Sequence, residues 1–322
     1  MMLAPTTSVV LRCGKANHKL TGRSRAGDGT SFVVPELKWM FDCGALIEGW
    51  IPRIVFLSHT HSDHCHYLTK IISEDHPPVV YLPAEAESYV KAHLVAYKQM
   101  TECMDMTEGH PDNDTFDFQC ILKPTLPGEE ILIHQGGHRF VVRTLKMAHR
   151  IPCLGYSIFK IQEKLKKEYE GMPGREIGTL KKAGVEVTES QEVPFLCFMG
   201  DTTDEVFQYH PEILEQHKVV IVECSFIDEG SMERARETTH MHWENLRPHV
   251  EARPDIMFVL THFSLKYSSL ELREFFCQQQ QRYDNIHPML LDDEIAACWI
   301  RRTKVKDGSS TPPKCQCRIC KS

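Results

Sequence analysis

Between residues 59 and 64 the chain carries His59, His61, Asp63 and His64, within the run Leu57-Ser58-His59-Thr60-His61-Ser62-Asp63-His64. Imidazole nitrogens and carboxylate oxygens suit a borderline divalent cation such as zinc. The apolar-biased stretch Ile54 to Ser58 precedes the run and reads as a buried strand. On a turn leaving a strand, side chains at this spacing can converge on one point. Alternation puts His59 and His61 on one side and leaves Asp63 and His64 to face a second position, which suggests two metal ions. A histidine-rich surface loop is the plainer alternative, but strand, spacing and donor types together argue against it.

The elements that must position such a centre can be traced along the chain. Residues 28 to 58 alternate glycine-rich turns with apolar runs such as Trp39-Met40-Phe41. A helix is expected after His64, then a strand at Val79 to Leu82 and a helix at Ala84 to Met100. Residues 101 to 115 read as a polar loop, strands follow between about Phe116 and His149, and Ser268 to Gln281 reads as a helix. No internal repeat or interdomain linker interrupts the pattern. Two apolar halves, divided near residue 160, fit two packed sheets flanked by helices.

At 322 residues the chain can bury a large core. A net charge of −7 argues against a broadly basic nucleic-acid coat but leaves room for a local basic patch. No apolar run reaches membrane-spanning length, so no membrane partner is expected. Met1 to Val10 lacks the charged start and apolar core of a secretory signal. Residues 1–27 hold basic residues and no acid, which leaves organellar targeting open. Thirteen cysteines, an odd number scattered through predicted strands, fit reduced thiols in the cytoplasm or nucleus.

The His-x-His-x-Asp-His run and the Phe41-Asp42-Cys43-Gly44 turn resemble the metallo-β-lactamase superfamily. The resemblance implies an α/β fold, the αββα sandwich of two mixed β-sheets flanked by helices. It asks for a histidine after a later strand, supplied by His149 after Arg139 to Ala148. It asks for an aspartate, supplied by Asp201 after Phe195 to Gly200, and a last histidine, supplied by His262 after Ile256 to Thr261. On this resemblance His59, His61 and His149 hold one Zn2+, Asp63, His64 and His262 hold a second, and Asp201 bridges them, with Mn2+ as the alternative metal. Asp42 would sit behind the metals and orient their ligands.

The stretch Lys164-Leu165-Lys166-Lys167-Glu168-Tyr169-Glu170-Gly171, with Gly174-Arg175-Glu176-Ile177 and Leu180-Lys181-Lys182-Ala183-Gly184-Val185, is similar to the insertion of short, plant-type tRNase Z. Gly200-Asp201-Thr202-Thr203, Val222-Glu223-Cys224-Ser225-Phe226 and Thr261-His262-Phe263-Ser264 resemble the same family. This implies a zinc-dependent endoribonuclease that removes 3′ trailers from precursor tRNA by metal-activated water attack on a phosphodiester. Asp63 would orient or deprotonate the water, and Glu223 would hold a catalytic histidine. Spacing to His262 favours His240 over His242 for that role. Residues 160–183 carry seven Lys or Arg against four Glu, and a basic segment can bind phosphates by counterion release. The resemblance makes the insertion at about 160–190 the part that grips the tRNA body, through Lys164, Lys166, Lys167, Arg175, Lys181 and Lys182. It also implies a homodimer in which one subunit's insertion serves the other's active site.

The expected organisation is an N-terminal extension over 1–27, a metallo-β-lactamase-fold domain over 28–300 and a cysteine-containing tail over 301–322. In the tail Cys315, Cys317 and Cys320 could hold a metal, but a disordered, reduced tail is the plainer reading. Two departures from the family stand out. Gly29 to Lys38 does not match its loop for sensing a mature CCA end, and Lys266 stands where the family usually has Arg. Two other functions compete: a dinuclear phosphodiesterase of small nucleotides, which would leave the insertion idle, and a non-catalytic binding protein, which would not hold metal.

Overall fold

Ile54–Phe56, Val219–Glu223 and Met257–Thr261 are apolar runs buried along nearly their whole length. Strands of this kind need a second sheet on one face and helices on the other. The computed structural model, which describes residues 6–13, 16–47, 49–73, 75–103 and 118–291, has that form. One mixed sheet runs in the order β1 (Thr7–Cys13), β2 (Ala16–Ala26), β3 (Gly29–Val34), β4 (Trp39–Phe41), β5 (Ile54–Phe56), β6 (Val79–Pro83), β7 (Ile121–Thr125). The second contains β8 (Glu130–Gln135), β9 (His138–Lys146), β10 (Leu154–Leu165), β11 (Thr188–Phe198), β12 (Val219–Glu223) and β13 (Met257–Thr261), in that spatial sequence. β14 (Phe263–Ser264) crosses to pair with β2, and β15 (Ile286–Pro288) borders β13. β8 to β11 are antiparallel, while β11, β12, β13 and β15 are parallel.

The strand period of two sorts the side chains into layers. Phe32, Trp39, Phe41 and Phe56 meet Phe140, Tyr156, Phe195 and Phe198 between the sheets. Val55, Leu57, Val80 and Leu82 face the other way, toward Leu68 and Ile71 of α2 (Leu68–Ile71) and Val90 and Leu94 of α3 (Glu87–Glu102). The short α1 (Ser62–Cys65) precedes them. Val220, Val222, Phe258 and Leu260 pack beneath α5 (Val206–Tyr209), α6 (Glu212–Gln216), α7 (Met232–Thr238), α8 (Trp243–Ala252) and α9 (Ser269–Gln279). The remaining helix, α4 (Gly174–Lys182), buries no side chain. Among the described residues no helix is long and apolar enough to cross a membrane.

Two expectations are corrected. The segment expected as an N-terminal extension over 1–27 supplies β1 and β2, and Leu11 and Leu20 are fully buried between the sheets. Its basic residues masked a half-buried, alternating strand pattern. The division between the halves falls between β7 and β8, not near 160, because residue 160 lies within β10. The 160–190 insertion is an arm. β9 pairs with β10 only as far as Ile161, after which Gln162 to Leu165 pair with β11 alone, and α4 follows beyond. The Cys315, Cys317 and Cys320 tail lies outside the described residues.

Candidate metal centre

The predicted site residues lie at or just beyond the C-terminal ends of strands at one edge of the sandwich. β5 leads to His59, β9 to His149, β11 to Asp201, β12 to Glu223 and β13 to His262. His61 is the residue before α1, and Asp63 and His64 lie in that helix's first turn. Gly44 fits against this turn so closely that a Cβ there would lie 1.8 Å from the Asp63 carbonyl oxygen. His262 and Asp42 adopt left-handed backbone, with φ of 62° and 54°, at about 1–2 kcal/mol each for an L-residue. Their amides are satisfied: His262 N–H donates to Ser24 Oγ at 3.0 Å and Asp42 N–H to Phe56 O at 3.0 Å.

Hydrogen bonds behind the histidines assign their tautomers. His64 Nδ1 donates to the buried Asp42 carboxylate at 2.8 Å. Ser58 Oγ gives its proton to Asp42 at 2.9 Å and therefore accepts from His59 Nδ1, also at 2.9 Å. Ser225 Oγ bonds Glu223 and accepts from His262 Nδ1 at 2.9 Å. His149 Nδ1 donates to Thr239 O at 3.1 Å. All four Nε2 atoms are left as bare acceptors turned toward one another. His64 Nε2 lies 3.1 Å from His262 Nε2, and His61 Nδ1 lies 2.9 Å from His59 Nε2 and 3.3 Å from His149 Nε2. Lone pairs packed this way need cations between them, so the donor set fits metal.

Donor atoms of His59, His61, His149 and Asp201 lie within 4.8 Å of one another, as do those of Asp63, His64 and His262. Asp201 faces both groups: Oδ2 is 3.5 Å from His59 Nε2, while Oδ1 is 3.3 Å from His64 Nε2 and 3.5 Å from His262 Nε2. Burial pushes the His61 pKa down to about 4, helped by His149 and Arg150, which favours the neutral ring that a ligand needs. Asp63 Oδ2 lies 3.4 Å from His262 Nε2 and 3.9 Å from His64 Nε2, so its carboxylate faces the same point as those two rings. Gly27 N–H also donates to Asp63 Oδ2 at 2.6 Å.

A third group, Asp201, Glu223, His240 and His262, also clusters, but Glu223 has no oxygen to spare. It accepts from Thr202 N–H at 2.8 Å, His240 Nδ1 at 2.9 Å and Ser225 Oγ at 2.5 Å. His240 is thus held by Nδ1, with Nε2 open. A cleft of about 830 Å³ adjoins His149 and His240, bordered by Lys146, Arg236 and Tyr209. His242 is committed elsewhere: it caps α8 and bonds Asp228 O at 2.9 Å. Lys266 is paired with Asp228 at 2.9 Å. Gly29 to Val34 is wholly buried as β3. The basic arm residues are not part of this cluster.

Sequence reasoning missed the supports. Ser24, Gly27, Ser225 and Thr239 position ligands or Asp63. Arg25 donates to the carbonyls of Phe263, Ser264 and Tyr267 and so fixes the turn after His262. They are ordinary residues far away in sequence from what they support, and no local signal marks them.

The layered fold and the histidine-aspartate cluster define a metallo-β-lactamase-fold, metal-dependent hydrolase. A Bacillus subtilis metallo-β-lactamase-fold protein, YhfI, superposes with a TM-score of 0.53 at 14% identity over 89% of this chain and 97% of that one, a likeness of fold. No family model matches the chain. The Arabidopsis thaliana tRNase Z TRZ1 is 30% identical over 266 residues, 80% of this chain and 89% of that protein. The chloroplastic tRNase Z TRZ2 of the same plant is 29% identical over 275 residues, 83% and 73% respectively. The chain belongs to the tRNase Z family.

Proposed function

We propose that this chain is a zinc-dependent endoribonuclease that removes 3′ trailers from precursor tRNA. The observation that carries the reading is the carboxylate-held His240 beside a cluster of seven candidate metal ligands, in a chain of the tRNase Z family. His59, His61 and His149 would hold one zinc and Asp63, His64 and His262 the other, with Asp201 shared and Mn2+ as a substitute. Two such ions neutralise phosphate oxygens and lower the pKa of water.

The chain's own groups then manage the protons. Asp63, held by Gly27 N–H, takes a proton from the attacking water. The water oxygen bonds phosphorus and the P–O3′ bond breaks. His240, kept charged by Glu223, gives its Nε2 proton to the departing O3′. The products are a tRNA ending in a 3′-hydroxyl and a trailer with a 5′-phosphate.

The arm, carrying Lys164, Lys166, Lys167, Arg175, Lys181 and Lys182, binds phosphates of the tRNA body. β10 begins beside the centre, where Leu154 N–H bonds Ser58 O at 2.9 Å. It then runs about 36 Å away, at roughly 3.3 Å per residue. An arm at that far end is placed to hold a part of the tRNA remote from the cleaved bond, and the family resemblance favours a homodimer in which it serves the partner's centre. The described cysteines form no disulfides, which supports a reducing compartment such as cytoplasm or nucleus.

The test is cleavage of a 3′-extended precursor tRNA by the zinc-loaded protein. Wild type is expected to make a single cut near the discriminator base, and Asp63→Ala to lose at least about 100-fold in rate. Absence of the cut in zinc-loaded wild type, or normal turnover by Asp63→Ala, would defeat the reading.

A further inference from the structure

Arg150 has no place in the chemistry above, yet its guanidinium lies at the rim of the centre. Its backbone N–H donates to Thr239 Oγ1 at 3.1 Å, which anchors the residue directly after His149. The side chain is exposed, with Nε and Nη2 at 3.4 and 3.2 Å from His61 Nε2. Among the described residues Arg150 forms no ion pair with a carboxylate. An exposed cation without an acid, beside a centre that must take an anion, is an unused binding group.

The His61 contact sharpens the point. His61 turns Nδ1 toward His59 and His149, so that nitrogen offers its lone pair to the centre. A neutral imidazole acting as a ligand through Nδ1 carries its proton on Nε2. A guanidinium has only donors. Arg150 and His61 Nε2 then present donor to donor, and the guanidinium must turn away. The nearby carboxylates do not compete for it, because Asp63 and Glu223 are already hydrogen-bonded and Asp201 sits among histidines.

We propose that Arg150 is a catalytic phosphate-binding residue, which grips the non-bridging oxygens of the scissile phosphodiester once His61 is engaged as a ligand. The planar fork of donors suits two oxygens of one phosphate. The inference rests on the reading that this centre cleaves a phosphodiester, but not on that diester belonging to tRNA.

Wild type, Arg150→Ala and Arg150→Lys are compared as full-length, zinc-loaded proteins at measured zinc content. Substrates are a 3′-extended precursor tRNA and bis(p-nitrophenyl) phosphate, with inorganic phosphate as competitive inhibitor. Arg150→Ala is expected to lose about 10- to 100-fold in kcat/KM on both substrates and to weaken phosphate inhibition about 10-fold. Zinc content and Tm should be unchanged, and Arg150→Lys should recover part of the loss. Rates and phosphate inhibition within twofold of wild type would overturn the proposal. So would a loss that tracks lost zinc, since Arg150 would then only support His61. If wild type cleaves the small diester in an Arg150-dependent way but not the tRNA, the tRNA reading fails and this inference stands.

Discussion

The direction in which each ring nitrogen points decides what each histidine can do. His59, His64, His149 and His262 spend Nδ1 on a protein acceptor and keep Nε2 for the centre. His240 spends Nδ1 on Glu223 and keeps Nε2 for a proton. Burial works against a charged His240 ring, but the Glu223 carboxylate outweighs it and raises the pKa above the ordinary histidine value. Burial would likewise raise Glu223, yet the His240 charge and hydrogen bond bring it down to about 2. The acid form of His240 is therefore present at neutral pH, and turnover should fall as pH rises through the His240 pKa. Glu223→Gln removes the carboxylate, so the alkaline limb of the kcat profile should move to lower pH. The rate at pH 7 should drop by about 10- to 100-fold. An unmoved limb in the zinc-loaded variant would separate Glu223 from His240.

At the scale of elements, opposite ends of the same strands carry different tasks. β10 starts beside the centre at Leu154 and β11 leads to Asp201 at one end, and both extend as the arm at the other. The arm's helix α4 has no fully buried side chain, and its Arg175, Lys181 and Lys182 are exposed and open to a ligand. Replacing Lys164, Lys166, Lys167, Arg175, Lys181 and Lys182 with Ala should raise KM for precursor tRNA. It should also flatten the dependence of log affinity on log salt by about 0.7–0.9 per lost phosphate contact. Hydrolysis of bis(p-nitrophenyl) phosphate, which has nothing for an arm to hold, should stay at the wild-type rate. An unchanged salt slope for precursor tRNA would remove the arm from substrate binding.

For the whole molecule, the inter-sheet and helix–sheet layers hold the ligand loops in register, and stability becomes a condition for metal binding. His217 provides a handle on that stability away from the centre. It is fully buried, its Nε2 bonds Ser157 Oγ at 2.7 Å, and burial, with a smaller effect of Arg143, brings its pKa down to about 4. The folded protein keeps this ring neutral, while the unfolded chain protonates it below about 6.5. The unfolded state binds more protons in that window, so stability falls as pH drops from about 6.5 toward 4. This one group contributes a loss of up to about 3 kcal/mol. In chelator-treated protein, denaturant unfolding of His217→Gln should show a shallower loss between those pH values than wild type. Parallel curves would show that His217 does not titrate with folding.

The candidate ligands were legible because chemistry and local structure coincide in the sequence. Imidazoles and carboxylates at the ends of apolar strands are local signals, and the layered α/β fold follows from strands too apolar to face water. The 1–27 segment was misread because a basic, alternating edge strand looks like a polar leader until a partner strand is known. Tertiary structure alone decided the rest. Ser24, Arg25 and Gly27 reach the centre only through the pairing of β2 with β14 and the approach of α1. Spacing already favoured His240 over His242, but only the folded chain brings the His240 ring to Glu223 and commits His242 to capping a helix. Sequence specifies which donors a chain owns, whereas the direction of a lone pair is set by whatever bonds the other side of the ring, and that partner comes from far along the chain.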